Sequence, residues 1–263
     1  MSVKVYSIDL NASFGFFKKP DTNENIYFTY NWLHKPACLG ILGAIAGLGG
    51  YWHAYEKNSK NVPAFFEKLQ SLKIGIKPLK QDDNGENKHK FSGTFEKFIV
   101  NYNNSVGYAN NGDNLQISEQ TIVKPAYRIF IKPEEGSCDH EQLIDRLRKG
   151  NAEFIPYMGK NDFQAWWDNF QEYDAEPGFN ESANTIDTIF ETGETKISLG
   201  SLQTFQSLVF EQIPVSYNLE KKSYNLVGFV YTPSTLKKNN DFSGKENKFY
   251  HYNNGKIHNI FLF

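Results

Sequence analysis

The sequence predicts an α+β fold, and three observations carry that expectation. Residues His34 to Trp52 read HKPACLGILGAIAGLGGYW, an apolar segment at helix period with a proline in its first turn. Segments 4–10, 72–79 and 127–131 instead place apolar residues at strand period. His140 to Lys149 then carries Leu143, Ile144 and Leu147 behind Asp139 and Glu141 and ahead of Arg146, Arg148, Lys149 and Gly150, which is a helix with charges matched to its dipole.

Taken in order, Lys4 to Leu10 sets Tyr6, Ile8 and Leu10 against Val3 and Val5, as in a strand buried partly on both faces. Phe14 to Pro20 places aromatics beside Lys18 and Lys19, Asp21 to Asn25 has turn composition, and Ile26 to Tyr30 extends again. In the helix from Pro36, Leu39, Ile41, Leu42, Ile45 and Leu48 form a bulky side, while Gly40, Gly43, Ala44 and Gly47 form a bare stripe that Gly49-Gly50 should end. Three mid-helix glycines cost about 3 kcal/mol relative to alanine, an amount that close approach of another backbone offsets. The stripe is expected to lie flat on a sheet; a ligand or nucleic-acid backbone is the other occupant it would admit. The run is too short to span a membrane.

Val62 to Leu72 carries Phe65, Leu69 and Leu72 at helix spacing and leads into a strand over 72–79. After the polar segment Lys80 to Ser92, Gly93 to Val100 extends, and Asn101 to Gly112, NYNNSVGYANNG, favours positive-φ turns and little core, so it should project as a hairpin arm. Leu115 to Val123 and Tyr127 to Ile131 return as strands, and Phe154 to Tyr157 closes the series after the second helix. Strand, helix, strand, arm, strand, helix, strand is a ferredoxin-like βαββαβ plan with a hairpin inserted after its second strand.

The 263 residues are 40% hydrophobic and 22% charged, ordinary for a folded protein with a sizeable core. Net charge is −2, but the chain is polarised: up to Pro133 there are 16 Lys and Arg against 11 Asp and Glu, and beyond it 12 against 19. The first half therefore leans toward an anionic partner. Cys38 and Cys138 offer neither a disulfide framework nor a metal-binding spacing, and the N-terminal residues do not read as a signal peptide, so a cytoplasmic protein is expected.

Several separate motifs resemble the CRISPR-associated Cas-five family of the RAMP superfamily, nearest its type I-B branch. They are Phe16-Phe17-Lys18-Lys19-Pro20; Tyr30 with His34-Lys35-Pro36; Leu39 to Ile45 with Gly47; Gln120 to Val123 with Tyr127-Arg128; and Pro156 to Phe163. The likeness covers residues 1–165 and implies an RRM-like domain whose insertion, about 101–123, is a thumb gripping the 5′ handle of CRISPR RNA. It implies a non-catalytic subunit of a Cascade surveillance complex that caps the backbone RAMP filament, seats the large subunit and meets target DNA only through the complex. No cofactor, metal or membrane enters that role. One departure is Lys18, where relatives often carry arginine; lysine lacks the bidentate fork of a phosphate clamp.

Aromatic rings stack on bases and cations neutralise phosphates. On that chemistry and the resemblance, the RNA-binding candidates are Phe16, Lys18, Lys19, Tyr30, His34, Lys35, Asn101, Tyr102, Tyr108, Gln120, Lys124 and Arg128. Core phenylalanines followed by a solvated Lys-Lys would look the same. Residues 166–263 are expected as an aromatic patch (Trp166, Trp167, Phe170, Tyr173), an acidic linker to about Asn184 and a small β-rich subdomain with strands over 224–231 and 257–263.

There is no P-loop, dinucleotide fingerprint, HExxH, paired CxxC or GxSxG elbow. The one alternative of a different class is metal-independent cleavage of CRISPR repeat RNA, with His89 as base and Lys88 or Lys90 stabilising the phosphate. Type I-C relatives cleave RNA with histidine, lysine and tyrosine, whereas in type I-B systems a separate nuclease makes the cut.

Overall fold

The structure, a computed structural model, describes residues 2–20, 26–56, 62–80, 91–104, 115–192, 202–204, 206–218, 220–221, 223–236 and 247–263. It is α+β and mostly sheet. The first half contributes β1 (Val3–Ala12), β2 (Phe14–Gly15), β3 (Ile26–Tyr27), α1 (Lys35–Ala46), α2 (Tyr51–Glu56), α3 (Ala64–Leu69), β4 (Lys73–Leu79), β5 (Lys97–Asn104), β6 (Leu115–Val123), β7 (Ala126–Lys132) and α4 (Cys138–Lys149). Then come β8 (Ala165–Pro177), β9 (Phe190–Glu191), β10 (Leu202–Thr204), β11 (Val209–Asn218), β12 (Ser223–Tyr231), β13 (Thr235–Leu236), β14 (Phe249–Asn253) and β15 (Ile257–Phe261).

The main sheet has the order β15-β14-β8-β1-β7-β4 with every pairing antiparallel. Period-2 alternation gives β1 two apolar faces. Ile8 and Leu10 share one face with Ile129, Ile131, Ile74 and Ile76, against which Leu39, Leu42 and Ile45 of α1 and Leu143 and Leu147 of α4 are buried. Val5 and Phe130 face the other way, into a second cluster with Tyr173, Tyr250, Tyr252, Ile260 and Leu262. The sheet curls into a half-barrel: Phe263, two residues past β15, exchanges backbone hydrogen bonds of 3.0 Å with Ile74 of β4 at the opposite edge.

Helix α1 starts as its proline predicts, with Nδ1 of the preceding His34 accepting the Ala37 N–H at 3.3 Å. It ends earlier than expected, at Gly47 (φ 78°) rather than at Gly49-Gly50, and the backbone N–H groups of Glu153 and Phe154 reach the carbonyls of Ile45 and Ala44. The glycine stripe does not lie on a sheet. A Cβ at Gly43 would run into the Cβ of Phe65 on α3, and one at Gly47 would come within 2.9 Å of Glu153 Cγ. The bulky side already occupies the sheet, so the bare side receives α3 and the loop after α4.

Residues 154–157 are not a strand, and the expected aromatic patch together with the first residues of the expected acidic linker forms the 13-residue β8, paired with β1 from Val3↔Ala175 to Ala12↔Ala165. Asn169 (φ 49°) marks a bulge at which the register shifts between Ser7 and Asp9, so the side-chain alternation of β8 changes phase midway and hides its period. Its charges are matched across the sheet by Lys4 on Glu172 and Asp174 and by Arg148 on Glu172. The expected boundary after residue 165 thus falls inside the main sheet. Ile213 of β11, Phe229 of β12 and Phe190 of β9 share the core cluster of α1 and β1, and β14 and β15 extend the same sheet. Among the described residues no helix is long and apolar enough to cross a membrane.

Candidate nucleic-acid interface

A second, smaller sheet is built around β6. It pairs antiparallel with β5 from Lys97↔Ile122 to Asn104↔Leu115, antiparallel with β2 at Phe14↔Val123, and parallel with β3 at Tyr27↔Glu119. These strands form the base of the expected arm; its tip, residues 105–114 with Tyr108, lies outside the described residues, as do Lys88, His89 and Lys90.

Register sorts the small sheet into two faces. Phe14, Tyr27, Phe98, Val100, Tyr102 and Glu119 share one. The rings of Phe14 and Phe98 meet edge-to-face at 5.7 Å, and Phe14 and Phe163 lie 5.9 Å apart. Phe14, Phe98 and Tyr102 are each about 40% exposed, at 39%, 41% and 39%, unusual for rings in one cluster. Lys160 closes the group. Its ammonium lies 4.4 Å from the Tyr102 ring centroid and 2.9 Å from Oε1 of the buried Glu119. Burial works against its charge, but hydrogen bonds to Glu119 and Tyr102 outweigh that and raise its pKa. Gly159 (φ 87°) makes this possible, because a Cβ there would overlap the Phe16 carbonyl, while Phe16 N–H donates to Met158 O at 3.1 Å.

The candidates from sequence divide sharply on this frame. Tyr102 lies on the aromatic face, and Lys18 stands beside it with its ammonium 3.6 Å from the centroid of Tyr27. Lys124 is exposed just past β6, in the left-handed region (φ 45°) with its N–H on Ser13 O. Asn101 and Gln120 fall on the opposite face, where Asn101 accepts from Ser118 at 2.7 Å and Gln120 Oε1 accepts the Thr29 N–H at 3.4 Å. Phe16 and Tyr30 are buried, 7% and 3% exposed, so neither presents an open ring for stacking.

The cations gathered from the helix start and the main sheet are engaged internally. Lys19 is 2.9 Å from Glu211 Oε1, and Arg128 donates to both oxygens of Asp9 at 2.6 and 2.7 Å. Lys35 donates to Phe263 O at 2.8 Å, and burial pulls its pKa down to about 8. Burial likewise lowers His34 to about 3, so this imidazole is a neutral cap, not the cation expected there. The helix N–H that it occupies is one a phosphate would otherwise use.

Sequence reasoning omitted Phe14, Phe98, Tyr27 and Lys160. Phe14 and Lys160 stood inside motifs already noted, and the alternation of Phe98, Val100 and Tyr102 was the signal that pointed to one face. Among the described residues, no three His, Cys, Asp or Glu side chains converge as metal ligands.

The chain matches no protein-family model and no curated protein. Among solved structures it is similar to a CRISPR protein from Archaeoglobus fulgidus, at 15% identity over 98% of each chain with a TM-score of 0.45. It is also similar to a chain of a CRISPR RNA-guided surveillance complex, at 12% identity over 92% of this chain and 98% of that one with a TM-score of 0.47. A third, a CRISPR-associated protein, is 12% identical over 90% and 92% of the two chains with a TM-score of 0.41.

Proposed function

We propose that the chain is a non-catalytic CRISPR RNA-binding subunit of a type I-B Cascade complex, holding the 5′ handle of the guide and capping the backbone filament, with the large subunit as its other neighbour. The sheet order β8-β1-β7-β4, with α1 and α4 in the two crossovers, supports a ferredoxin-like, RRM-like plan, and the β5–β6 ribbon between β4 and β7 supports reading that insertion as a thumb. The observation that carries the reading is the shared face of Phe14, Phe98 and Tyr102 flanked by Lys18 and Lys124, on strands that pair with β6, which carries the Gln120–Val123 motif. Exposed rings there offer platforms for unpaired bases, and the flanking lysines suit the phosphates between them.

Filter binding of a guide RNA carrying its 5′ handle tests this. Base stacking is worth about 1–3 kcal/mol per ring, so Phe98→Ala and Tyr102→Ala should each weaken binding by about tenfold or more while leaving the melt nearly unchanged. Wild-type affinity in both variants would remove the face from the site. A cut repeat RNA in the absence of divalent metal would instead favour the endoribonuclease.

A further inference from the structure

A separate site lies where the segment after β8 meets β4 and β15. Asp187 Oδ2 accepts from Lys77 Nζ at 2.8 Å and from His258 Nδ1 at 2.9 Å. Burial alone would raise the Asp187 pKa, but His258 and Lys77 hold it well below the usual carboxylate range. A carboxylate only accepts, so Nδ1 of His258 carries the proton and Nε2 is left as the working atom of the ring. The imidazole is held flat on Tyr252, with centroids 4.9 Å apart and an interplanar angle of 12°.

Asp187 and His258 line a cavity of about 300 Å³ with Ser182, Thr185 and Lys256. Its wall is built rather than loose. The fully buried Asn259 donates from Nδ2 to the carbonyls of Asn180, Ala183 and Thr185 at 3.0, 2.8 and 3.3 Å and accepts the Asn180 N–H at 2.8 Å. Lys77 balances Asp187, which leaves Lys256 to make the cavity net positive, and two hydroxyls and an orientable imidazole supply directional contacts. A fixed loop, a tautomer set by a largely enclosed carboxylate and a cation with no ion pair among the described residues suit a small oxyanion, and none of them serves the aromatic face.

We propose that this cavity binds a phosphate monoester, either free or as the terminal phosphate of an RNA chain. The site stands independently of the RNA-binding face. Calorimetric titration of the full chain with inorganic phosphate, AMP, and matched 5′-phosphorylated and 5′-hydroxyl oligoribonucleotides tests it and separates the sources. Saturable binding of phosphate or AMP is expected, weakened about tenfold or more by Lys256→Ala, an exposed position whose loss leaves the fold intact, and by His258→Asn. A preference for the phosphorylated oligonucleotide that disappears in Lys256→Ala identifies the RNA end; equal binding of the two oligonucleotides with retained AMP binding identifies the free ligand. No saturable binding by any of the four, or wild-type affinity in Lys256→Ala, overturns the proposal.

Discussion

The start of α1 and the base of the β5–β6 ribbon are both rich in aromatics and lysines, yet they use them in opposite ways. At the helix start, Tyr30 and His34 pack edge-to-face at 5.3 Å inside the core, Lys35 ends on a backbone carbonyl and Lys19 on Glu211. At the ribbon base Phe14, Phe98 and Tyr102 keep exposed ring surface, and Lys18 sits over an aromatic ring instead of a carboxylate. The difference teaches that residue type marks a candidate, and the partner decides whether its chemistry is available. An internal ion pair removes a cation from a ligand's reach as surely as burial removes a ring.

The largest effect that would break this comparison is expected at Gly43. Valine there must displace Phe65, and overpacking of this kind costs about 1–3 kcal/mol, so the melting temperature should fall while RNA affinity per folded molecule holds. Pairing Gly43→Val with Phe65→Ala should recover part of the loss, since the double variant removes the ring that obstructs the new side chain. Unaltered melting with lost RNA binding would move the stripe from the structural region to the functional one.

A second test uses the buried His34. Its folded pKa, about 3, lies below the unfolded value near 6.5, so between those values the unfolded chain binds a proton that the folded chain does not. Stability therefore rises with pH across that window and is lost on acidification, by about 2 kcal/mol from this group between pH 7 and pH 5. His34→Asn keeps a capping side chain without a titrating ring and should flatten the dependence over that interval in denaturant unfolding. An unchanged slope would show that the imidazole is not held neutral at the helix start.

The smallest effect sharpens the contrast between adjacent lysines. Each phosphate contact on single-stranded RNA adds about −0.7 to the slope of log affinity against log salt. Lys18→Ala should flatten the slope by about that amount, and Lys19→Ala, whose ammonium is committed to Glu211, should leave it unchanged. Equal slopes for the two variants would erase the distinction.

Much of the first half was legible because its signals are local. Pro36 opens α1, Gly150 (φ 68°) closes α4, β6 spans the expected Leu115 to Val123, and the alternation of Tyr127 to Ile131 marks a strand that extends one residue further at each end. β8 was hidden because a bulge shifts its phase and its charges find partners on β1 and α4. The site was legible in composition but not in commitment. Arg128 has its carboxylate on Asp9, 119 positions away, and Lys35 ends on Phe263, 228 positions away, so neither pairing leaves a local trace. Asn101 and Gln120 have the polar chemistry of an interface with Tyr102, but a paired ribbon sends them to its opposite side.

The bond between Phe263 and Ile74 joins parts of the chain 189 positions apart, and it sits at the seam that turns an open sheet into a curled one. While the chain is being made, the outer edge of β4 stays open until Ile189, which donates to Ile76 O, and then Phe263 arrive, and such distant pairing slows folding. A polypeptide cut after residue 165 would keep α1 to α4 yet lack β8, leaving β1 with β7 as its strand partner in the main sheet and β4 without its seam. Such a fragment would offer two templates for edge-to-edge aggregation, so expression trials that divide the chain there should yield a larger insoluble fraction than the full chain gives.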